Sequence, residues 1–554
     1  MLLDLGWPHS RVVKRYHKGL WNLYSRFESW PASHSFRVNQ HHSQPLALTM
    51  SGACNATLEV QNHVYRHSSV GRDGPSVKSS TNQRSDTERV AVAVLAAGIG
   101  SRMKSALPKP LHLVAGVPII ERVIRAGLAV EPDQIVAIVS ADLTDLPDRL
   151  DMVGEFEATA QVYPYGTAGA VRSALDYLEP AKWLVSLLGD SPLLTGGTVR
   201  QLIEGARATG ARVTILTCIL DDAQTYGRIE RDTYGNAFRI VEYKNDLPQL
   251  RSGPTEINSG IMVLDAAWAR EALARLKEND QAREYLLTDI LDIAIAERAA
   301  SDPWPIATMA GHPDVALGIN DRVQLSAAES IIRRQVRHRL QGEGVTIVGE
   351  DSVFIDETVE VGRDSVIMPF SIITGLTRIG SGCHIGPQAV LHNADIGDRA
   401  SIRSSTVTDS SIGEGSDVGP YSHIREHTLV SPGVHVGTSA EIKNSSIGRG
   451  AMIGHFSYLG DVSMGQNVNV GAGSITANFD GVTKNRTMIG DGAFLGCDTV
   501  LVAPVEIGDH ARTGAGSVVN RNVPPATTVV GMPARPIASR HSDAVRTAAD
   551  KSRK

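Results

Sequence analysis

The apolar positions of this chain follow one rhythm before about residue 320 and another after it. From Val90 to about Ala310, short runs of aliphatic residues alternate with apolar stripes that recur every three or four residues. The runs include 90–95, 135–139 and 183–188, and two of the stripes fall at 119–128 and 171–178. Buried strands that alternate with amphipathic helices are typical of a parallel sheet covered on both faces. Ligands of such sheets bind beyond the carboxyl ends of the strands.

The second rhythm begins after Gly344, where an aliphatic residue followed by glycine recurs at intervals of six residues or near multiples of six. Such pairs stand at 379–380, 385–386, 396–397, 447–448, 453–454 and 507–508. A period of six predicts a hexapeptide β-helix, in which each hexad forms one side of a triangular coil and the aliphatic side chain points inward. The rhythm breaks between Ala477 and Thr487, which predicts a loop that leaves the coil.

These rhythms divide the chain into five predicted segments. They are an N-terminal extension (1–88), an α/β domain with a mostly parallel, Rossmann-like sheet (89–318), a linker helix (319–343), a β-helix (344–540) and a polar tail (541–554). The extension is basic, poor in acidic residues and without a sustained period. A transit peptide, a disordered tail and a start codon assigned too far upstream, with Met50 as an internal start, all stay open.

Composition narrows the class of protein. A chain of 554 residues is too long for one hydrophobic core. Its net charge of −6 argues against dedicated nucleic-acid binding. The four cysteines lie far apart, so neither a disulfide framework nor a zinc knuckle is predicted. Since no apolar run is long enough to cross a membrane, we expect a soluble, cytoplasmic protein without membrane or nucleic-acid partners.

A candidate phosphate-binding loop lies at 94–111, which reads VLAAGIGSRMKSALPKPL. Gly98 and Gly100 follow a predicted strand, and Arg102 and Lys109 follow on the same loop. Backbone N–H groups and cations both favour anions, so the loop suits a polyphosphate. It matches neither the P-loop nor the dinucleotide fingerprint. From these residues alone, a phosphate-binding loop and a glycine-rich turn that caps an ordinary strand are equal alternatives.

Several motifs in this order resemble one bacterial enzyme family. They include LAAGIGSRM, LPKPLH, YGTAGAV and LLGDSPLL in the first half, and EIKNSSIG, IGHFSYLGD and NVNVGAGSITANFDG in the second. The family is the bifunctional N-acetylglucosamine-1-phosphate uridylyltransferase/glucosamine-1-phosphate acetyltransferases, and the resemblance extends from about Val90 to Val519. It implies a left-handed β-helix, acetyl transfer from acetyl-CoA to glucosamine 1-phosphate, and uridylyl transfer from UTP to N-acetylglucosamine 1-phosphate. It also implies Mg²⁺ and a homotrimer with acetyl-transfer sites between subunits.

The same resemblance assigns roles in the first half. Arg102 and Lys109 would hold the triphosphate and steady developing charge, and Asp190 and Asn320 would bind magnesium through oxygen. The nucleotide would contact Leu95, Ala96, Gly98, Lys109, Gln161, Gly166 and Thr167. The sugar would contact Gly227, Glu242, Asn258 and Asn320.

In the second half, the resemblance points to His455, in IGHFSYLGD, as the base for acetyl transfer. Removing a proton from an attacking amine favours a group whose pKa lies near 7. The sugar phosphate would contact Arg425, Lys443, Tyr458 and Asn469, whose cations suit a dianion. Acetyl-CoA would contact Ala472, Asn478, Phe479, Cys497, Ala515 and Arg535.

The chain departs from the family pattern at three of these positions or beside them. Glu426 stands where proline is usual, Cys497 where serine is usual, and Phe479 where tyrosine is usual. Two other functions stay open: a nucleotidyltransferase whose β-helix only trimerises or regulates, as in glucose-1-phosphate adenylyltransferases, and a non-enzymatic scaffold. His455 and Lys443 argue against the first of these, and release of the CoA thiol would decide between it and a bifunctional enzyme.

Overall fold

The computed structural model describes residues 88–537, except Ile99, 151–153, 164–165, Gln224, 244–252 and 277–284. The predicted polar tail and, apart from Glu88, the predicted N-terminal extension lie outside the described residues. Both halves described below belong to one compact unit.

The first half is an α/β domain. Its strands are β1 (Val90–Leu95), β2 (Leu113–Val114), β3 (Val117–Pro118), β4 (Gln134–Val139), β5 (Glu157–Ala160), β6 (Trp183–Leu188), β7 (Val213–Leu220), β8 (Arg228–Arg231), β9 (Ala237–Val241), β10 (Thr255–Asp265) and β11 (Ile306–Ala310). Its helices are α1 (Ile119–Leu128), α2 (Leu146–Arg149), α3 (Gly166–Tyr177), α4 (Gly196–Thr209), α5 (Ala266–Leu273) and α6 (Ile290–Ala296). The predicted alternation of strands and helices is therefore present.

The main sheet has the order β11-β7-β10-β6-β1-β4-β5, with β8 and β9 attached beside β10. The central strand β1 pairs in parallel with β4 and β6, and β4 pairs in parallel with β5. One strand, β10, runs antiparallel between β6 and β7 and was not predicted. The carboxyl ends of β1, β4, β5 and β6 therefore meet at one edge.

Both faces of this sheet are buried because side chains alternate along each strand. On β1, Val92 and Val94 pack in a cluster with residues of α1 and α4, whereas Ala91 and Ala93 pack in a cluster with residues of α3, α5 and α6. The small alanines let helices approach the sheet closely. The strand is thereby held on both sides, and the loop that follows it begins from a rigid position.

A seventh helix, α7 (Arg322–Gly342), joins the two halves. Asp321 caps it, because its carboxylate accepts hydrogen bonds from the N–H groups of Val323 and Gln324, each at 2.9 Å. Its apolar residues Ile332 and Leu340 lie in the same core cluster as the first residues of the β-helix. The helix therefore packs against the coil it leads into.

The second half is a coil of three parallel sheets. Sheet A contains Thr346–Ile347, Val366–Ile367, His384–Ile385, Ser401–Ile402, Asp417–Val418, His435–Val436, Met452–Ile453, Asn469–Val470, Phe494–Leu495, Arg512–Thr513, Thr528–Gly531 and Ala534–Pro536, of which the last is antiparallel. Sheet B contains Phe354–Ile355, Ile372–Thr374, Val390–His392, Thr406–Thr408, His423–Arg425, Glu441–Lys443, Tyr458–Gly460, Ile475–Ala477, Val500–Val502 and Val518–Val519. Sheet C contains Glu360–Val361, Arg378–Ile379, Asp395–Ile396, Ser411–Ile412, Leu429–Val430, Ser446–Ile447, Val462–Met464, Thr487–Ile489 and Val505–Ile507.

The hexad rhythm places one aliphatic residue of each strand inside the coil. On sheet B, Ile424, Ile442 and Leu459 stack in register and are fully buried. Outward-facing side chains of the same strands are thus displayed in rows along a rigid surface.

Candidate active sites

A cleft of about 830 Å³ opens at the edge of the main sheet where β1, β4, β5 and β6 end. Its lining includes all seven residues predicted to contact the nucleotide: Leu95, Ala96, Gly98, Lys109, Gln161, Gly166 and Thr167. The predicted magnesium ligand Asp190 also lines it. The strand-end position expected from the sequence is therefore the position of a real cavity.

The backbone explains why the loop after β1 faces this cleft. The N–H of Ala96 donates to Ile138 O at 2.7 Å, and the N–H of Gly189 donates to Leu95 O at 2.8 Å, so the ends of three strands are tied together. Gly100 has φ +63°, and a Cβ there would lie 2.7 Å from Lys109 Cβ. Glycine at this position therefore lets the Lys109 side chain cross the loop toward the cleft.

Charged and polar groups from three distant segments converge at the mouth of the cleft. Lys109 Nζ lies 2.5 Å from Asp190 Oδ2 and 3.2 Å from Asn320 Oδ1. Arg102 Nη2 donates to the same Asn320 oxygen at 2.9 Å. The structure thus brings together the two predicted cations and the two predicted magnesium ligands.

Tyr226 holds the segment that leads to Asn320 in place, a role that the sequence did not indicate. Its hydroxyl donates to Ala316 O and accepts from the N–H of Gly318 at 3.3 Å. Burial raises the pKa of Tyr226, and the nearby charge of Asp190 raises it further. The segment before Asn320 is also tied to Asp190, whose backbone carbonyl accepts from the N–H of Ile319 at 2.9 Å.

Three of the predicted sugar contacts form a second group beside the cleft. The N–H of Asn258 donates to Gly227 O at 2.8 Å, and a Cβ at Gly227 would lie 3.6 Å from Glu242 Oε2. Glu242 Oε1 accepts from the Thr288 hydroxyl at 3.2 Å. Since the N–H of neighbouring Leu287 donates to Thr167 Oγ1, this group borders the nucleotide residues. Asn320 belongs instead to the charged group.

The donor set of Asp190 and Asn320 fits a hard cation. Carboxylate and amide oxygens are the ligands that Mg²⁺ prefers, and two of them leave positions for water and phosphate oxygens. Within the described part of the chain, no group of three or more His, Cys, Asp or Glu side chains is placed to hold a metal. A magnesium ion here would replace the Lys109 ammonium as the partner of Asp190.

The residues predicted for acetyl transfer lie on the β-helix, and four of them occupy one corner between sheets A and B. The N–H of Gly473 donates to His455 O, the N–H of Asp498 donates to Ala472 O, and the N–H of Gly516 donates to Cys497 O, each at 2.8 Å. His455 and the predicted acetyl-CoA contacts Ala472, Cys497 and Ala515 therefore occupy the same corner of successive coils. Such a column suits an extended ligand that follows the coil axis.

The imidazole of His455 is exposed, and Nδ1 accepts a hydrogen bond from the N–H of Thr438 at 3.1 Å. A Cβ at Gly437 would lie 3.0 Å from the same nitrogen, so glycine there makes room for the ring. Because an N–H donor faces Nδ1, the neutral ring carries its proton on Nε2 in this orientation. A ring that accepts a proton from substrate must first turn away from Thr438.

The predicted sugar-phosphate residues lie on the outer face of sheet B and around its corner with sheet A. Arg425 and Lys443 are in register on neighbouring strands, as are Glu441 and Tyr458. Arg425 donates to Glu441 Oε1 from Nη2 at 2.6 Å and from Nε at 3.0 Å. Glu441 is a contact that the sequence did not indicate. Asn469 lies on sheet A, in register with Met452 and Phe494.

The predicted excursion from the coil is present between Ala477 and Thr487, and it folds back toward sheet B. Buried Asn478 donates from Nδ2 to Asp461 Oδ2 at 2.5 Å, and a bridge joins Phe479 to Lys484. The contact with Lys443 lowers the pKa of Lys484, a residue of this loop. The loop therefore brings a third basic side chain to this face.

Arg535 lies apart, on the exposed final hairpin of sheet A, where its Nη1 donates to Ala534 O at 3.0 Å. The strand of Arg535 is the fourth strand of that sheet after the strand of Asn469. The predicted contact of Arg535 with CoA is the least supported by the geometry.

Comparison with known proteins agrees with this division into halves. Residues 92–288 match the MobA-like NTP transferase domain, residues 349–438 the GMPPB C-terminal domain, and residues 486–521 the bacterial transferase hexapeptide family. A protein named bifunctional protein GlmU from Caldanaerobacter subterraneus subsp. tengcongensis is 39% identical over 79% of this chain and 94% of its own length. Those of Trichlorobacter lovleyi and an Exiguobacterium species are 38% and 40% identical, over 79% of this chain and 95% of their own lengths. The chain belongs to the bifunctional GlmU family.

GlmU membership confirms the predicted fold class, an α/β nucleotidyltransferase domain followed by a left-handed parallel β-helix of hexapeptide repeats. It also confirms that the chain is an enzyme with nucleotidyltransferase and acetyltransferase activities. The crystal structure of HddC from Yersinia pseudotuberculosis aligns at 19% identity over 44% of this chain and 99% of that chain, with a TM-score of 0.33, too low to support an inference. None of the helices in the described residues is both long and apolar enough to cross a bilayer.

Proposed function

We propose that the two sites perform successive steps in the synthesis of UDP-N-acetylglucosamine, a precursor for the cell envelope. The β-helix site transfers acetyl from acetyl-CoA to glucosamine 1-phosphate. The cleft then joins N-acetylglucosamine 1-phosphate to the uridylyl group of UTP and releases pyrophosphate. The observation that carries this proposal is the presence of two separate groups of cations. One group lies beside the carboxylate of Asp190, just after the end of a strand. The other lies on the face of the β-helix that adjoins the corner of the exposed His455.

In the cleft, a phosphate oxygen of the sugar attacks the α-phosphorus of UTP, and the bond to the β-phosphate breaks. Such a reaction needs alignment and charge neutralisation more than a nucleophilic side chain. Arg102 and Lys109 supply two positive charges where the triphosphate would lie, and Asn320 orients both of them through one oxygen. Gly227, Glu242 and Asn258 would hold the sugar beside it.

Asp190 and Asn320 would hold the magnesium ion of this site, and the bound ion would neutralise phosphate charge. Lys109, released from Asp190, would then be free to pair with the triphosphate. We assign the cleft to a uridylyltransferase domain at 89–318 and the linker to 319–343, a segment that contains α7.

On the β-helix, the amine of glucosamine 1-phosphate attacks the thioester carbon of acetyl-CoA, and the CoA thiolate leaves. His455 accepts the proton that the amine loses, after its ring has turned away from Thr438. Arg425 and Lys443 would bind the phosphate of the acceptor, with Tyr458 and Asn469 at its edge. Ala472, Cys497 and Ala515 would line the path of the CoA. The assigned acetyltransferase domain is 344–540.

We propose further that the chain acts as a homotrimer in the cytoplasm, where acetyl-CoA and UTP are available. A row of exposed apolar side chains, Phe354, Ile372 and Val390, runs in register along the outer face of sheet B. Such a row suits packing against other copies of the chain. Sedimentation of the purified protein at several concentrations measures the mass of the assembly, and a monomer mass throughout contradicts the trimer.

The proposed function is tested with one purified chain and two separate readouts. Thiol release is measured with acetyl-CoA and glucosamine 1-phosphate, and pyrophosphate release is measured with UTP and N-acetylglucosamine 1-phosphate. Both products are expected from the same folded protein. Pyrophosphate without thiol would favour a nucleotidyltransferase with a structural β-helix, and neither product would favour a scaffold.

A further inference from the structure

Glu426, where the family usually has proline, sits among the cations proposed to bind the acceptor phosphate. It directly follows the sheet B strand His423–Arg425 and has φ +52°. One carboxylate oxygen pairs with Arg425 Nη1, and the other lies 3.0 Å from Lys443 Nζ. A single carboxylate therefore bridges the two cations.

This bridging position is the one that an acceptor phosphate would need. Arg425 and Lys443 lie in register on neighbouring strands, so an anion that contacts both must lie between their side chains. Glu441 also pairs with Arg425, at 2.6 Å, but within the described residues it does not bridge the two cations as Glu426 does. A phosphate would therefore displace Glu426 rather than Glu441.

Glu426 is charged at neutral pH and has room to leave. Burial by itself would raise the pKa of its carboxyl, but the hydrogen bond from Lys443 and the charges of Lys443 and Arg425 outweigh burial, and the pKa is lowered. Its side chain is 48% exposed, so the carboxylate can move into water. Ion pairs at this exposure are weak enough to be broken by a dianion.

We propose that Glu426 determines acceptor specificity by acting as a built-in competitor of the acceptor phosphate. The phosphate of glucosamine 1-phosphate binds Arg425 and Lys443 only after displacing the Glu426 carboxylate. Glu426 therefore lowers the affinity for phosphorylated amino sugars and leaves that for unphosphorylated ones unaffected. This inference rests on the proposed acetyl transfer.

Glu426→Gln tests the proposal because it keeps the side chain's length and removes its charge. Glu426→Gly is a second variant, since glycine adopts φ +52° without strain. The matched control is Glu414→Gln, which removes the same charge from an exposed ion pair with Arg399 on the same β-helix. KM and kcat are measured by thiol release, with glucosamine 1-phosphate and with glucosamine.

We expect both Glu426 variants to lower the KM for glucosamine 1-phosphate about three- to tenfold, the range for losing weak competing ion pairs. The KM for glucosamine and the kcat of both Glu426 variants should stay within about twofold of the wild-type values. The KM and kcat of the control variant should stay within the same range. An unchanged KM would overturn the proposal because Glu426 would then not compete with the phosphate, and a higher KM would overturn it because Glu426 would then position the cations. An equal fall for both acceptors would also overturn it.

Calorimetric binding of glucosamine 1-phosphate, without acetyl-CoA, separates this inference from the proposed function. If the wild type released no thiol, acetyl transfer would be wrong, yet the affinities of the wild type and Glu426→Gln would still be comparable. Tighter binding by the variant, in the same three- to tenfold range of about 0.7 to 1.4 kcal/mol, supports competition. Equal or weaker binding refutes it.

Discussion

Asp190→Asn separates the two activities through a small change at one site. The Asp190 carboxylate lies 2.5 Å from Lys109 Nζ, and the two side chains are 27% and 12% exposed. Asparagine keeps the shape and one acceptor oxygen, but it removes the charge that Lys109 and a magnesium ion require. We therefore expect a large catalytic effect with a small structural one.

The two magnitudes follow from the exposure and charge of this pair. Lys109 can still donate a hydrogen bond to the amide oxygen and the pair is partly hydrated, so the free energy of unfolding should fall by only about 1 kcal/mol. Removing one preorganised charged group from a polar active site typically lowers kcat by about 10²- to 10³-fold, or about 2.7 to 4 kcal/mol. The loss of rate therefore exceeds anything that partial unfolding would produce.

Asp265→Asn is the matched control. Asp265 lies 2.6 Å from Lys182 Nζ, is 20% exposed, and sits at the opposite edge of the same sheet. Pyrophosphate release, thiol release and urea unfolding are measured for both variants. Asp190→Asn should lose only pyrophosphate release, whereas Asp265→Asn should keep both activities. Retained pyrophosphate release in Asp190→Asn, or an equal loss of thiol release, would refute the reasoning.

Three further experiments test the β-helix and, through Cys218, the burial of one strand of the α/β domain. His455→Asn should lower thiol release about 10²- to 10⁴-fold without affecting pyrophosphate release, and a parallel fall of both would contradict two independent sites. Alkylation at mildly alkaline pH should modify exposed Cys497 in the native protein, and acetyl-CoA should slow that reaction if Cys497 lines its path. Burial raises the pKa of Cys218 to about 11, so peptide mass spectrometry should find it unmodified until the protein is denatured. Ile442→Ala should lower the free energy of unfolding by about 2 to 5 kcal/mol, because the side chain is fully buried, and a change below 1 kcal/mol in urea titrations would contradict that packing.

Apolar periodicity predicted the elements well because it reports burial directly. The runs 90–95 and 183–188 are strands with those bounds, and the hexad rhythm predicted the coil. Periodicity does not encode direction, however. The strand Thr255–Asp265 is buried between β6 and β7 whether it runs parallel or antiparallel, so its antiparallel course had no signal in the sequence.

The candidate site residues likewise divide into those whose meeting follows from sheet topology and those whose position the sequence pattern does not predict. Lys109 and Asp190 follow strands of one sheet, so their meeting is a consequence of topology, whereas only the family resemblance predicts a role for Asn320. Glu426 departs from the family pattern in the sequence itself, but its bridging of two cations depends on side-chain directions that a sequence pattern does not carry. The approach of Lys484 likewise depends on how its loop folds back.

The most direct test supplies one purified chain with glucosamine 1-phosphate, acetyl-CoA, UTP and Mg²⁺ and measures UDP-N-acetylglucosamine by mass spectrometry. The proposed two-step synthesis predicts this product together with equal amounts of CoA thiol and pyrophosphate. Omission of acetyl-CoA should abolish it, and N-acetylglucosamine 1-phosphate should then restore it. Folded protein that forms no UDP-N-acetylglucosamine from the complete mixture would contradict the assignment of both reactions to this chain.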